Sequence, residues 1–176
     1  MWSPHPKTSI KYMKKIFFAF LSFIMFTGVL SAKDDFSNFN YELTRDGCPV
    51  SRDANFVIFT VYSYTKKSKI TSDIGKRNAI HGILFKGLPK TQYQGAEPAL
   101  IKEGSYETYA ADLDRFFADG EYLQFVEETN KGFQDVVKIS SKEYKVGITV
   151  KVNLKGLKQK MEKMGIIKDY YDIMMQ

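Results

Sequence analysis

Between Tyr144 and Leu154 the chain alternates without a break. Tyr144, Val146, Ile148, Val150, Val152 and Leu154 are apolar, and Lys145, Gly147, Thr149, Lys151 and Asn153 between them are polar or small. A period of two places the first set on one face of a strand and the second on the other. One wet face and one dry face describe a half-buried antiparallel strand. Such a strand must find neighbours on its edges and a layer over its apolar face, so it fixes the architecture that the rest of the chain has to complete.

The neighbours are legible upstream. Phe56 to Thr65 reads Phe-Val-Ile-Phe-Thr-Val-Tyr-Ser-Tyr-Thr and stops at Lys66-Lys67. Its β-branched and aromatic residues on both alternating faces predict a strand covered at least in part on both sides. Phe36 to Asp46, with Phe39, Tyr41 and Leu43 at alternate positions before Arg45-Asp46-Gly47, predicts an opening strand. Val136, Val137 and Ile139 suggest another, joined to the closing strand by a turn at Ser140 to Glu143.

The covering layer is helical. Ile70, Ile74, Ile80, Ile83 and Leu84 recur at helical spacing after the hydroxyl-rich Ser68 to Ser72, and Gly87 and Pro89 end the segment. Gly82 inside this helix costs about 1 kcal/mol against alanine, and a close approach to a strand explains it. From Ser105, residues Tyr106, Tyr109, Ala110, Leu113, Phe116 and Phe117 share one face, with Asp112, Asp114 and Arg115 off it, until Asp119-Gly120. A further short helix is expected over Glu121 to Thr129, with Tyr122, Phe125 and Val126 together. After the closing strand, Asn153 is placed to cap a last helix in which Leu157, Met161 and Met164 are buried and Lys155, Lys158, Lys160 and Lys163 are not; Gly165 ends it. The sum is an α+β fold, a small, mainly antiparallel sheet with helices packed on one face.

In front of this domain lies a segment of a different kind. Ile16 to Leu30 is an uncharged apolar run directly preceded by Lys14-Lys15 and followed by the small residues Ser31 and Ala32. That order of charged, apolar and small residues predicts a signal peptide helix over 1–32, cleaved after Ala32, with Met13 as the true start. The run falls short of the ~20 apolar residues of a spanning helix, which makes an uncleaved signal anchor the lesser alternative. No cysteine stands near Ala32, so no lipid tether and no stable membrane anchor are expected after cleavage. The product is expected to be periplasmic or secreted.

The leader also carries the charge imbalance. The whole chain has 26 basic and 20 acidic residues, a net +6. Removing 1–32 takes away Lys7, Lys11, Lys14 and Lys15 and no acid, which leaves 22 against 20. A near-neutral remainder gives no argument for nucleic acid, whose binders gather positive charge in a patch or stripe. Residues 33–176 suit a single domain, and a chain of that size buries about 68–70% of the surface it exposes unfolded. Cys48 is the lone cysteine; a buried or idle thiol is the favoured reading over an intermolecular bridge.

Residue types that carry chemistry are few. His5 goes with the leader, so His81 is the single mature histidine, without a recognisable partner for acid–base work. One Cys and one His cannot assemble a closed zinc site of thiolates and imidazoles. Asp112, Asp114, Asp119 and Glu121 resemble a calcium loop until the spacing is checked: Phe116 stands where an oxygen ligand belongs. No phosphate-binding glycine loop or nucleophile elbow is present, and Cys48 lacks a base to activate it. No catalytic, cofactor-binding or metal-binding residue is therefore assigned. Tyr62, Tyr64, Tyr93, Tyr106, Tyr170 and Tyr171 are candidates for a binding surface, although most are better read as core or core-edge residues. The stretch from Leu88 to Gly104, with Pro89, Gly95, Pro98 and Gly104, is the longest irregular connection and the place where a pocket could form.

The run from Phe56 to Gly87, ending in Lys76-Arg-Asn-Ala-Ile-His-Gly-Ile-Leu-Phe-Lys-Gly87, resembles small exported proteins of unknown function from Bacteroides-type bacteria. The closing segment Tyr144 to Leu154, with Leu157 and Met161, is similar to the same family's last strand and helix. More distantly, the order of elements resembles the envelope α+β domains of curli-secretion and penicillin-binding-protein-activator lipoproteins, whose anchoring cysteine this chain lacks. The resemblance implies no active site. The expectation is an exported, non-enzymatic envelope protein that binds another envelope protein or assembles with itself. The alternative is a small-ligand binder or enzyme using carboxylates and tyrosines near the 88–104 loop, and the discriminating feature is a pocket there that gathers His81, acidic residues and tyrosines.

Overall fold

A computed structural model describes residues 39–168 apart from 103, 131 and 133. The expected signal segment, Met13, Tyr170 and Tyr171 lie outside the described residues. The fold is α+β: a five-stranded antiparallel sheet of β1 (Tyr41–Thr44), β2 (Phe56–Thr65), β3 (Val126–Glu128), β4 (Asp135–Lys138) and β5 (Tyr144–Asn153), with three α-helices. The helices are α1 (Ser72–Phe85), α2 (Tyr106–Ala118) and α3 (Leu154–Lys163). The strand order is β1-β2-β5-β3, and β4 also pairs with β5.

The alternating segment is the centre of the sheet. β5 pairs with β2 along its whole length, Phe56 opposite Asn153 at one end and Thr65 opposite Tyr144 at the other. This register lines Val146, Ile148, Val150 and Val152 up with Ser63, Val61, Phe59 and Val57 on the helix-bearing face. All four β5 side chains are fully buried there, each burial stabilising the fold by about 1.5–3 kcal/mol. The opposite face carries Lys145, Gly147, Thr149 and Lys151 beside Tyr64, Tyr62, Thr60 and Ile58.

Helix α1 lies directly on the sheet because two glycines let it. A Cβ at Gly75 would come within 2.7 Å of Ile148 Cδ1, and one at Gly82 within 2.5 Å of Leu43 Cδ1. The close approach expected at Gly82 is thus made by a β1 side chain. Thr71 is the N-cap, its Oγ1 accepting from the Ile74 amide at 3.4 Å, which leaves Ile70 ahead of the helix and Ile74 37% exposed. The helix ends where Gly87, at φ +71°, turns the chain, its amide and that of Lys86 both donating to the Gly82 carbonyl. In α2, Leu113, Phe116 and Phe117 are buried as the spacing predicts. Asn153 caps α3 through Oδ1 to the Gly156 amide at 2.8 Å, and Leu157 and Met161 are fully buried.

One element differs from expectation. The helix expected over Glu121 to Thr129 is a 3₁₀ turn, Glu121–Phe125, followed by strand β3. Val126 sits opposite Val152 and extends the apolar layer there, a pleated position that suits a β-branched residue. The connection from Leu88 to Gly104 is irregular but pinned. Leu88 and Glu97 exchange backbone hydrogen bonds of 2.7 and 3.0 Å, and the Leu100 and Ile101 amides donate to carbonyls of Ile83 and Leu84 in α1.

The far edge of β5 is divided. β3 pairs with its C-terminal half and β4 with its N-terminal half, and between them the chain swings toward the start of α1. There Gln134 imitates a strand: its Nε2 donates to the Ile70 carbonyl at 2.8 Å while its Oε1 accepts from the Ile70 amide at 3.3 Å. Glu128 accepts from the Ser72 hydroxyl at 2.7 Å, a carboxylate at a helix N-terminus, where the dipole favours it.

Candidate functional site

Three places gather polar or titratable groups, and the sequence singled out residues in each. The first surrounds His81, which α1 turns toward β1. Its Nδ1 lies 2.6 Å from the Tyr41 hydroxyl. Phe39 stacks on the ring at 3.6 Å between centroids, and Phe85 lies at 4.6 Å. Burial first, then the Lys86 and Arg77 charges, pull the imidazole pKa down to about 4. Lys86 Nζ sits 3.9 Å from the Tyr41 ring centroid and donates to the Tyr41 carbonyl at 3.2 Å. In either neutral tautomer Nδ1 and the Tyr41 hydroxyl share this one hydrogen bond. This arrangement ties α1 to β1.

The second place is the helix-free face of the sheet. Glu42 accepts from Lys145 at 2.6 Å and from the Tyr64 hydroxyl, and these two hydrogen bonds hold its carboxyl below its ordinary pKa. Tyr62 lies flat over Gly147, where a Cβ would come within 2.6 Å of its ring, and donates to Asp135 Oδ2 at 2.7 Å. Lys145 Nζ is 4.7 Å from the Tyr62 ring centroid. One row over, Cys48 Sγ, Thr60 Oγ1 and Thr149 Oγ1 form a chain of contacts of 3.4 and 2.9 Å. Tyr62 and Tyr64 therefore stand together, as a binding surface requires, whereas Tyr93 is 81% exposed on the 88–104 connection and Tyr106 donates to Asp114 at 2.9 Å.

The third place is a cleft of about 210 Å³ between the segment after β1 and the 88–104 connection. Val50, Ser51, Ala54, Phe56, Val57 and Ile58 line one part of it and Arg45, Gln94, Gly95 and Glu97 another, and the surface it exposes is more polar than apolar. The concave site that the sequence placed beside the 88–104 connection exists, but neither His81 nor any tyrosine lines it. Arg45 is the residue that sequence reasoning missed. Its side chain is only 2% exposed, its Nη1 donates to the Gly95 carbonyl at 2.6 Å, and its Nη2 stands 4.0 Å from Glu97 Oε1. Its Nε is buried without a hydrogen-bond partner among the described residues. Burial pulls the guanidinium pKa below its ordinary value, with the Glu97 charge offsetting part of the effect. The signal was available: Tyr41, Leu43 and Arg45 are consecutive members of one alternating set, so Arg45 follows the two apolar residues inward.

The acidic residues set aside as calcium ligands are dispersed. Asp114 accepts from Tyr106, and Glu121 pairs with Lys160 of α3 at 2.5 Å. Among the described residues no group of three or more His, Cys, Asp or Glu side chains is placed to hold a metal ion. No helix among them is long and apolar enough to cross a membrane. Comparison with known protein families, curated proteins and solved structures returned no match for this chain.

Proposed function

We propose that this chain is an exported, non-enzymatic protein that assembles with a second copy of itself by strand pairing at the free edge of β4. Support for export comes from Lys14-Lys15, the apolar run to Leu30 and the small residues at Ser31-Ala32, together with the resemblance to exported proteins of Bacteroides-type bacteria. Support for a non-enzymatic role comes from engagement: His81 is held by Tyr41, Glu42 by Lys145 and Tyr64, and Cys48 contacts Thr60.

The observation that carries the assembly reading is the β4 edge. Val136 and Val137 of β4 and Ile139 just beyond it are 43%, 48% and 48% exposed, Val136 on one face and Val137 on the other of a strand that has β5 along one edge. Ile139 donates to the Glu143 carbonyl, so by alternation the backbone groups of Asp135 and Val137 face β5 and those of Val136 and Lys138 face outward. Asp135, which would otherwise guard this edge, is drawn onto the sheet face by Tyr62, and Lys138 is the one charged side chain of β4 left to protect it. A two-fold axis at Val137 pairs Val136 with the second copy's Lys138 and brings the two Val137 side chains together, the isologous contact of a closed dimer.

Light scattering on residues 33–176 across a range of concentrations tests this. A dimer that grows with concentration is expected. Lys138→Pro should abolish it while leaving the β4–β5 ladder intact, because the lost amide faces outward. A protein that stays monomeric throughout, and captures no envelope protein through β4, would refute the reading.

A further inference from the structure

We infer that the cleft beside Arg45 binds the carboxylate of a small acid, with Glu97 occupying the ligand's place in its absence. A guanidinium so deeply buried is ordinarily met by a carboxylate in bidentate geometry or by several acceptors, because an uncompensated buried charge is costly. Arg45 has neither. One carbonyl, that of Gly95, takes Nη1, and Nε is buried without a hydrogen-bond partner among the described residues. Glu97 is the nearest carboxylate, but 4.0 Å from Nη2 is the outer limit of an ion pair and too long for a hydrogen bond.

Glu97 is also the partner able to leave. Its side chain is 40% exposed, and its backbone is held separately by Leu88, so the carboxylate can swing to solvent without disturbing the loop. A competing carboxylate that reaches the fork side-on would make the charge-assisted pair that Glu97 does not. The body of the ligand would then lie along Val50, Ala54, Phe56, Val57 and Ile58. The cleft is smaller than the ~300–1,000 Å³ of pockets for drug-sized ligands, so the ligand is a short-chain acid or the last residue of a peptide. A neutral isostere leaves the arginine as it found it.

The test uses residues 33–176 with 4-methylvalerate, acetyl-Gly-Leu and acetyl-Gly-Leu-amide, read by calorimetry and by the Arg45 Nε–H signal in a 15N correlation spectrum. One or both acids should bind and shift that signal, and which of them does so identifies a free acid or a peptide terminus as the source. Arg45→Gln should weaken binding ~10-fold or more, and Glu97→Gln should tighten it ~3–5-fold by removing the competitor. Should Arg45→Gln fail to fold, Ala54→Leu fills the opposite wall, leaves the arginine in place and should block binding by itself. Equal binding of the amide, an Arg45 signal unmoved at ~10 mM acid, or Glu97→Gln weakening the interaction would each overturn the inference.

Discussion

The Tyr41 hydroxyl and His81 Nδ1 lie 2.6 Å apart, joining the edge strand β1 to the first helix through an imidazole that stays neutral. Phe39 and Phe85 pack on the ring, and the charges that face it, Lys86 and Arg77, are both positive. Protonation is therefore opposed by burial and by both neighbours.

A histidine with a depressed folded pKa makes the protein acid-sensitive in a defined window. The unfolded chain takes up the proton near pH 6.5 and the folded chain near 4. The contribution to stability is complete above pH 6.5 and is lost as the pH falls from there toward 4. After discounting for the partial exposure of the ring, the loss should be about 1–3 kcal/mol. Urea unfolding at pH 7.5 and 4.5 measures it, and His81→Leu should reduce the difference between the two, whatever it does to stability at neutral pH.

Asn78 and Ser63 form a buried polar pair between α1 and β2, Nδ2 donating to Oγ at 2.8 Å. Asn78→Ala removes one partner and strands the other, and should cost about 1–3 kcal/mol. A double-mutant cycle with Ser63→Ala should show coupling, since the second change removes the group left unsatisfied. Additive losses would place the energy elsewhere.

Gly87→Ala should be among the most damaging single changes. Its φ of +71° disfavours any Cβ, and a Cβ there would run into the Glu97 carbonyl and the Ala99 amide, which are backbone atoms that cannot step aside. A left-handed alanine costs about 1–2 kcal/mol and overpacking about 1–3 kcal/mol more. Thermal unfolding reports the total. The change should also loosen the 88–104 connection, and faster hydrogen exchange at the Leu88 and Glu97 amides would record this.

Tyr62→Phe should act locally. It removes the 2.7 Å hydrogen bond to Asp135 that ties β4 to the sheet face, at a cost of about 0.5–1.5 kcal/mol. Exchange at the Asp135 and Val137 amides should accelerate, while Val61 and Ile148 in the sheet centre keep their protection. Uniform acceleration across the sheet would show that the hydroxyl supports the whole fold instead.

What could be read beforehand follows from how local each determinant is. β5 was legible because burial on one face imposes a period that no other structure shares, β2 because β-branched and aromatic residues fill both its faces, and the Asn153 cap because it depends on residues three apart. β3 was hidden: Val126 to Glu128 is too short to show a period, and its strand character comes from β5 lying beside it. Gln134 was hidden for the same reason, since its pairing with Ile70 is a meeting of residues far apart in the chain. At the candidate sites, residue type misled at Arg45. His81 was read as lacking a partner for acid–base work and is a strut, while Arg45 looked like part of a turn and is the most deeply buried charge described here.

The division of the far edge of β5 also limits what can be added to it. A single unbroken strand there would offer a template as long as β5, and identical chains could extend it indefinitely, as they do in cross-β fibres. Here the template is interrupted where the chain leaves for Ile70, and a visitor at β4 meets only Asp135 to Lys138 before the edge turns away. A second copy pairing as proposed would find only this short ladder, too short to serve as a seed.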